Sequence, residues 1–335
     1  MNSTGLDLSQ ADLIRNFILM RLPEKEQTEL YENYWSKIEA LFRGSERTFD
    51  SFVRDFIALR VQASKQEKAS EIYFAFRREF GAIGSDPTKL VDFLKELLRF
   101  ARYHAAFSTG SDKWPDLRES LARLRRLVDV PAIVIMQLFD CYEKHGTLSA
   151  SEFVEAVGLL ESFVFRRALC GEQTRGYWQI FANLAYRIDI KKPLESLKVR
   201  LALMPESYTF PGDAEFRSAL EGRDIYHMRV CFDLLDSLEN RGTKEPTDTS
   251  KYSIEHIMPQ NEKLALMGSF IWRVGYTQNV AAMLGREALH PRAPLSPLCR
   301  DEAAATIGGS LLQAGGFGSH EPAQHGKHLR QARLQ

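Results

Sequence analysis

The stretch PAIVIMQLFDCYEKHGTLSASEFVEAVGLLESFVF, residues 131–165, decides the fold class of this chain. Apolar residues recur three and four positions apart on both sides of a short polar break, which is the spacing of α-helices that bury one face. Pro131 suits the first turn of the first helix, and His145 with Gly146 is typical of its C-terminal end. The stretch therefore predicts two neighbouring helices joined by a short loop.

The same helical spacing extends through most of the first 240 residues. Ser9 and Asp12 form a capping pair ahead of the first helix. Trp35 lies on the apolar stripe of the second helix together with Tyr31 and Ile38, so its side chain is expected to be buried. About ten helices and no alternating strand are predicted before residue 240. The fold class is thus mainly α, a multi-helix array of antiparallel neighbours with short connections.

Charge and cysteine usage exclude several classes of protein. Lysine plus arginine and aspartate plus glutamate each number 44, so a nucleic-acid partner would have to be held by a local basic patch. The four cysteines are widely spaced, which favours reduced thiols over a disulfide scaffold or a zinc site. They are Cys141, Cys170, Cys231 and Cys299. No leader-like start and no membrane-length apolar run occurs, so a soluble, cytoplasmic protein without a membrane partner is expected.

The spacing of apolar residues changes after residue 250. The stretch YSIEHIMPQ, residues 252–260, has β-like spacing and places Glu255 beside His256 shortly before Pro259. At a bend that ends a strand, the carboxylate can hold a divalent cation while the imidazole takes a proton from water, as in a one-metal nuclease. The pattern E-H-x-x-P is weak by itself. A surface strand with a solvated Glu-His pair is the alternative interpretation.

Basic residues in the helical region are the remaining candidates for contact with DNA phosphate. The densest basic patch, which predicts a contact with the DNA backbone, consists of Arg118, Arg123, Arg125 and Arg126. Arg166 and Arg167 follow an apolar face and offer a second phosphate contact, but a solvated helix face is the favoured interpretation for both. Three histidines without a metal ligand at suitable spacing are expected to be structural: His104, His145 and His227.

Several stretches resemble, in one order, proteins of the GmrSD type, which are modification-dependent (type IV) restriction endonucleases. They are NSTGLDLSQADLIRNF (2–17), ESFVFRRALCG (161–171), LLDSLEN (234–240) and YSIEHIMPQN (252–261). The resemblance implies a remnant of a ParB-like nucleotide-binding domain at residues 1–22 and a helical domain at 23–245. It also implies the start of an HNH-like nuclease domain, a partial ββα-metal unit, at residues 250–264.

The resemblance further implies site residues and partners. Asn2, Ser3 and Thr4 would be the remnant of the nucleotide-binding motif. Glu255 would hold a divalent metal, Mg²⁺ or Mn²⁺, and His256 would act as the general base. Proteins of this type hydrolyse the phosphodiester bonds of DNA that carries modified cytosines, often phage DNA. A partner subunit belongs to the alternative interpretation, in which the helical region is a non-catalytic interaction module.

Two departures from the family pattern predict an inactive fragment. The chain carries N-S-T-G without the preceding F-E of the family motif F-E-x-x-N-S-T-G, and it contains no D-G-Q-Q-R motif, so no specific binding of GTP or ATP is expected. After Lys263, only Leu289 and His290 remain of a family stretch like L-H-T-x-G-N-L-T-L, so a second metal ligand and a group that orients the imidazole are missing. Residues 265–335, poor in acids and rich in glycine and histidine, are expected to be a frameshifted or disordered tail. The alternative function is a non-catalytic helical module that binds DNA or a protein.

Overall fold

The computed structural model of the chain describes residues 8–20, 22–44, 46–61, 66–83, 87–110, 113–240 and positions 245, 247 and 249. Regular structure in this part of the chain is helical, without a strand, which confirms the mainly α fold class. The α-helices are α1 (Gln10–Leu19), α2 (Glu24–Leu30), α3 (Ser36–Leu41), α4 (Glu46–Val61), α5 (Ile72–Phe80), α6 (Pro87–Ser108), α7 (Pro115–Leu127), α8 (Ala132–Phe139), α9 (Ala150–Cys170), α10 (Tyr177–Tyr186), α11 (Pro193–Ala202), α12 (Asp213–Gly222) and α13 (Cys231–Glu239). Short 3₁₀ turns span Ala69–Glu71 and Glu206–Tyr208, and π-helical turns span Tyr31–Trp35 and Asp140–His145.

The predicted helix ends agree with the structure where local chemistry sets them. The Ser9 hydroxyl accepts a hydrogen bond from the Asp12 amide at 3.1 Å and caps α1. Gly146 follows the π turn after α8 in a left-handed conformation, with φ of 64°. The last described helix, α13, begins at Cys231 after turns closed by backbone hydrogen bonds from Met228 to Ile225 (2.9 Å) and from Cys231 to Met228 (3.0 Å).

The first π turn changes which residues face the core. The amide of Ser36 bonds to the carbonyl of Tyr31, five residues earlier, so this turn is wider than an α-helical one. Trp35 and Ile38 are fully buried, which confirms that part of the predicted stripe, whereas Tyr31 is 37% exposed. The prediction for Tyr31 is wrong because a period of 3.6 residues does not hold across a π turn.

The core is built around two central helices. The largely apolar α8 is buried against α4, α6 and α10, and the long α9 packs against α7, α11 and α12. Between α4, α5 and α6, four phenylalanine rings form a cluster with centroid distances of 5.0–6.1 Å: Phe56, Phe76, Phe80 and Phe93. Each such ring contributes about 1.5–3 kcal/mol by burial. Apolar contact between helices therefore holds the array together.

Several predicted features fall outside the described residues. They are the nucleotide-binding remnant Asn2, Ser3 and Thr4, the partial ββα-metal unit at 250–264 with Glu255 and His256, the tail at 265–335, and Cys299. The described residues all belong to the compact unit Met1–Pro294. Within them the other three cysteines are free thiols, as expected. No helix of this part is long and apolar enough to cross a bilayer.

Candidate functional site

Two arginines of the predicted DNA-backbone patch, Arg118 and Arg123, lie on α7. The Arg123 guanidinium donates to the Glu119 carboxylate (Nη1–Oε1 2.7 Å) and to Glu161 on α9 (Nε–Oε2 3.2 Å). Burial raises the pKa of Glu161 above its ordinary value, although the nearby Arg123 charge opposes that rise. Arg118 is exposed. A DNA phosphate would therefore have to compete with two carboxylates for Arg123.

The other two arginines of the patch reach different helices. Arg125 Nη1 donates to the backbone carbonyl of Phe107 near the end of α6, at 2.8 Å. Arg126 contacts both Asp233 (Nε–Oδ1 3.3 Å) and Asp236 (Nη2–Oδ2 3.1 Å) on α13. The patch thus ties α7 to α6, α9 and α13. These contacts assign the arginines a role in packing, and contact with DNA stays a prediction for them.

Arg166 and Arg167 on α9 are buried, so the favoured interpretation of a solvated helix face is wrong. Arg166 Nη1 donates to the Pro211 carbonyl at 3.1 Å and to Asp213 Oδ1 at 2.6 Å. Its guanidinium also lies over the Phe216 ring, 5.0 Å from the centroid. Arg166 therefore fastens the start of α12 to α9.

Arg167 is fully buried and binds backbone from two loops. Its guanidinium donates to the carbonyls of Gln173 (3.2 Å), Ser207 (3.2 Å) and Thr209 (3.0 Å). Its Nε donates to the Tyr177 hydroxyl at 3.1 Å. Loop carbonyls lack the regular partners that a helix provides, and Arg167 supplies donors to three of them. Arg167 thus joins the loop after α9 to the loop that precedes α12.

Helical spacing contained a signal for the burial of Arg167. It lies four residues after Phe163 and seven after Leu160, both fully buried on α9. The interpretation from sequence instead placed the guanidinium in solvent, because arginine is a charged residue. A guanidinium carries five N–H donors, however, and can be buried wherever enough carbonyl oxygens surround it. The spacing predicted that Arg167 lies on the buried face of α9. Two of its carbonyl partners, Ser207 and Thr209, lie 40 and 42 residues further along the chain and could not be predicted from it.

A second buried polar cluster lies between α4, α6 and α10. Trp178 Nε1 donates to Asp55 Oδ1 at 2.8 Å, and Asp55 Oδ2 lies 3.8 Å from His104 Nε2. Ser108 Oγ is 3.4 Å from His104 Nδ1, but it also donates to the His104 backbone carbonyl at 2.9 Å. Serine, histidine and aspartate are thus brought together, which are the residue types of a hydrolase triad.

The geometry of this cluster is that of a structural group rather than a catalytic one. A separation of 3.8 Å exceeds hydrogen-bond distance, and the His104 ring lies beneath Phe42 and Phe52, with centroids 5.9 and 5.7 Å away. Burial, with a smaller effect from Arg54, lowers the pKa of His104 to about 3, so the imidazole is neutral at neutral pH. The expected structural role of His104 is confirmed by its burial.

Asp55 makes the stability of the fold depend on pH. Burial raises the pKa of Asp55 to about 7, against the lowering effects of the Trp178 hydrogen bond and of Arg54. When the pKa of a carboxyl is higher in the folded chain than in the unfolded chain, the folded chain becomes less stable as the pH rises from about 4 to about 7. The Asp55→Asn variant removes this titration and keeps an acceptor for Trp178. Relative to the wild type, its free energy of unfolding should rise with pH by up to about 1.4 kcal/mol per unit.

Urea unfolding at about pH 4.5 and about pH 7.5 measures this difference. The His104→Asn variant is the matched control, because it should show the opposite sign. Because the pKa of His104 is lower in the folded chain, the folded chain becomes more stable as the pH rises from about 3 to about 6.5. The His104→Asn variant lacks this gain, so its free energy of unfolding should fall relative to the wild type over that range. An Asp55→Asn difference that is the same at both pH values would contradict the assignment.

The second π turn, Asp140–His145, buries a carboxylate between two basic side chains. Asp140 Oδ1 accepts from Arg99 Nε at 2.9 Å, and its Oδ2 lies 3.4 Å from His145 Nε2. The wide turn folds His145 back toward Asp140, and such turns are frequent at functional sites. Asp140 and His145 alone are too few ligands for a metal centre. Over the described ranges, no group of three or more His, Cys, Asp or Glu side chains could hold a metal ion.

A cavity of about 390 Å³ opens near the start of α1. Leu8, Phe42 and Phe49 contribute apolar walls, and Glu39 and Asp50 contribute carboxylates. The Glu39 carboxylate already accepts from the Trp35 indole at 2.7 Å and from the Arg15 guanidinium at 3.0 Å. These bonds commit Glu39 to the packing of α1 against α3.

No family model, curated protein or solved structure matches this chain. The residue patterns and the packing of the described helices are therefore the basis for inferring its function. Within that packing, the polar groups that the structure brings together tie helices and loops to one another.

Proposed function

We propose that this chain carries the helical region and the start of the nuclease region of a modification-dependent DNA restriction endonuclease of the GmrSD type, in a form that does not cut DNA. One observation supports the proposal most strongly. The family-like stretch Glu161–Gly171 is the second half of α9, where Arg166 and Arg167 fasten α12 and two loops. Gly171 ends the same helix with φ of 78°, in the region that favours glycine.

A stretch with this role is one that related chains would be expected to share. Replacing either arginine would remove its hydrogen bonds to loop carbonyls, and replacing Gly171 would strain the end of α9. The similarity at Glu161–Gly171 is therefore similarity of a structural framework. It supports kinship of the helical region and is independent of whether a nuclease site is complete.

The resemblance supplies only part of the ligand set for the proposed metal site. In the family that the chain resembles, a divalent ion stabilises the negative charge that develops during phosphodiester hydrolysis. Here Glu255 supplies one carboxylate and His256 one imidazole, and the stretch around Leu289 and His290 lacks the residues of the corresponding family stretch. The chain is therefore proposed to be inactive.

A plasmid-nicking assay tests the inactivity. With Mg²⁺ or Mn²⁺, and with plasmid that carries modified or unmodified cytosine, the wild-type chain should cut no faster than the His256→Ala variant. Cleavage of modified plasmid that disappears in His256→Ala would show a working nuclease and contradict the proposed inactivity.

A chimera tests the kinship itself. The residues after Lys263 would be replaced with the corresponding nuclease segment of a GmrSD-type protein, which supplies the missing ligand and orienting groups. The chimera should gain metal-dependent cleavage, and His256→Ala within the chimera should abolish it. A chimera that folds, with the helical circular-dichroism signal of the wild type, but never cuts would contradict the proposal.

The second candidate is a helical module that binds DNA or a partner protein without cutting. It is favoured by a specific observation, the exposed basic loop between α10 and α11, where lysines stand beside exposed apolar side chains. The two candidates differ in the chimera experiment, since the module predicts binding but no cleavage after the nuclease segment is supplied.

A further inference from the structure

Residues 187–192, which join α10 to α11, form a loop that is held rigidly by the fold. Ile188 is only 6% exposed and anchors the loop in the core. The Asp189 carboxylate accepts from the Lys191 amide at 2.9 Å, and the Asp189 carbonyl accepts from the Lys192 amide at 3.1 Å. Ser196 Oγ on α11 accepts from the Asp189 amide at 3.0 Å. The loop therefore has one defined conformation before any partner binds.

This rigid loop presents apolar and basic side chains to solvent. Tyr186 is 47% exposed and Ile190 is 41% exposed. Lys191 and Lys192, which follow Ile190 and precede α11, are also exposed. No ion pair of either lysine occurs with the described residues. Lys198, on α11 directly after the loop, does form an ion pair, with its Nζ 2.6 Å from Glu155 Oε1. The loop thus carries two cations whose charge the described fold does not neutralise.

Ile190, at the tip of the loop, keeps part of its side chain in water. It occupies the second position of the turn Asp189–Lys192, where most residue types are tolerated. The fold covers more than half of the residue, and the remaining 41% is apolar surface exposed to solvent. The side chain at this position is consistent with a surface that a partner covers.

The chemistry of the loop fits single-stranded nucleic acid. Ammonium groups attract phosphates, and an exposed aromatic ring can stack on a base. In a duplex the bases already stack on one another, so the face of Tyr186 would have no such partner. A membrane surface is less well matched, because a single isoleucine and one tyrosine offer little area to bury among lipids.

We infer that the α10–α11 loop binds single-stranded DNA, with Lys191 and Lys192 on neighbouring phosphates and Tyr186 stacked on an unpaired base. Ile190 covers the apolar edge of the same nucleotide. The rigid conformation lowers the entropy cost of binding. The inference rests on the proposed function for the identity of the nucleic acid as DNA. The geometry of the surface itself depends only on the described helices.

Fluorescence anisotropy of the full chain with a labelled single-stranded oligonucleotide tests the inference. The Lys191→Gln/Lys192→Gln double variant should bind about tenfold more weakly at low salt, and the slope of log affinity against log salt should fall by about 1.4, because two phosphate contacts are lost. Tyr186→Ala should weaken binding about fivefold or more, through loss of stacking. Tyr186→Phe keeps the ring and should bind like the wild type.

The matched control is Lys25→Gln/Lys37→Gln, which removes the same charge from exposed positions on α2 and α3. It should leave the affinity within about twofold of the wild type. Equal losses in both double variants would show only a general charge effect and would overturn the inference. Absence of binding to the oligonucleotide would also overturn it. Tighter binding to duplex, or to anionic vesicles in a manner that depends on Lys191 and Lys192, would assign the loop a different partner.

The result can be separated from the test of the proposed function. Binding does not involve His256, so His256→Ala should bind the oligonucleotide like the wild type. If the chimera cuts DNA while the loop variants bind normally, only the loop inference fails. If the loop variants lose binding while the chimera never cuts, only the nuclease kinship fails. Circular dichroism of each loop variant and of the lysine control should match the wild type, because the substituted side chains on α2, α3 and the α10–α11 loop are exposed.

Discussion

Replacing Arg167 with leucine is expected to lower the free energy of unfolding by more than about 3 kcal/mol. The side chain is fully buried and satisfies the backbone carbonyls of Gln173, Ser207 and Thr209. Each hydrogen bond from a charged donor contributes about 1.5–3 kcal/mol, so the loss of three of them makes a large effect. Urea unfolding followed by the helical circular-dichroism signal measures it.

Two further variants show whether the effect comes from these hydrogen bonds. Arg175→Leu changes an exposed arginine in the same loop region and should shift stability by no more than about 0.5 kcal/mol. Arg167→Lys keeps the charge but cannot reach carbonyls in two loops with a single ammonium group, so it should fall between the wild type and leucine. An Arg167→Leu protein as stable as Arg175→Leu would show that the two loops do not depend on the guanidinium.

Trp35→Ala should destabilise the chain by about 3–5 kcal/mol. The indole is fully buried beside Phe49, with ring centroids 6.1 Å apart. Its Nε1 donates to Glu39 at 2.7 Å. Truncation to alanine leaves a cavity at the point where the first π turn joins α3 to the core, and the surrounding rings can fill it only in part. The thermal midpoint and urea unfolding both report the loss.

Trp35→Phe separates packing from hydrogen bonding at this position. Phenylalanine keeps most of the apolar contact and removes only the bond to Glu39, whose Oε1 still accepts from Arg15 at 3.0 Å. A smaller loss of about 1 kcal/mol is therefore expected. A thermal midpoint of Trp35→Ala equal to that of the wild type would contradict the burial of the indole in solution.

Local patterns in the sequence predicted much of the helical array and little of its polar chemistry. Spacing placed Trp35 and Ile38 in the core correctly, because apolar periodicity reports which face of a helix is buried. It placed Tyr31 there wrongly, because the π turn shifts the register by an amount that spacing alone does not indicate. The candidate metal residues Glu255 and His256 lie outside the described residues, and their role stays a prediction.

The arginines show most clearly where prediction from sequence stops. The pattern around Arg123 and Arg126 indicated a basic patch for DNA, yet both side chains contact carboxylates on other helices. Arg126 pairs with Asp236, 110 residues further along the chain. A pattern of local charge reports the sign of a surface, whereas the neutralisation of that charge depends on which distant helices become neighbours.

The sequence by itself determined the helical class, the cap at Ser9, the glycine at 146 that ends the turn after α8, and the burial of Trp35. These features depend on residues within about one or two helical turns of one another, so local chemistry is sufficient to set them. Only the tertiary structure decided that carbonyls from two loops surround Arg167 and that Lys191 and Lys192 remain exposed without a partner among the described residues. The physical reason is that the free energy of a buried or exposed charge depends on donors and acceptors brought together from distant parts of the chain, which no local pattern specifies.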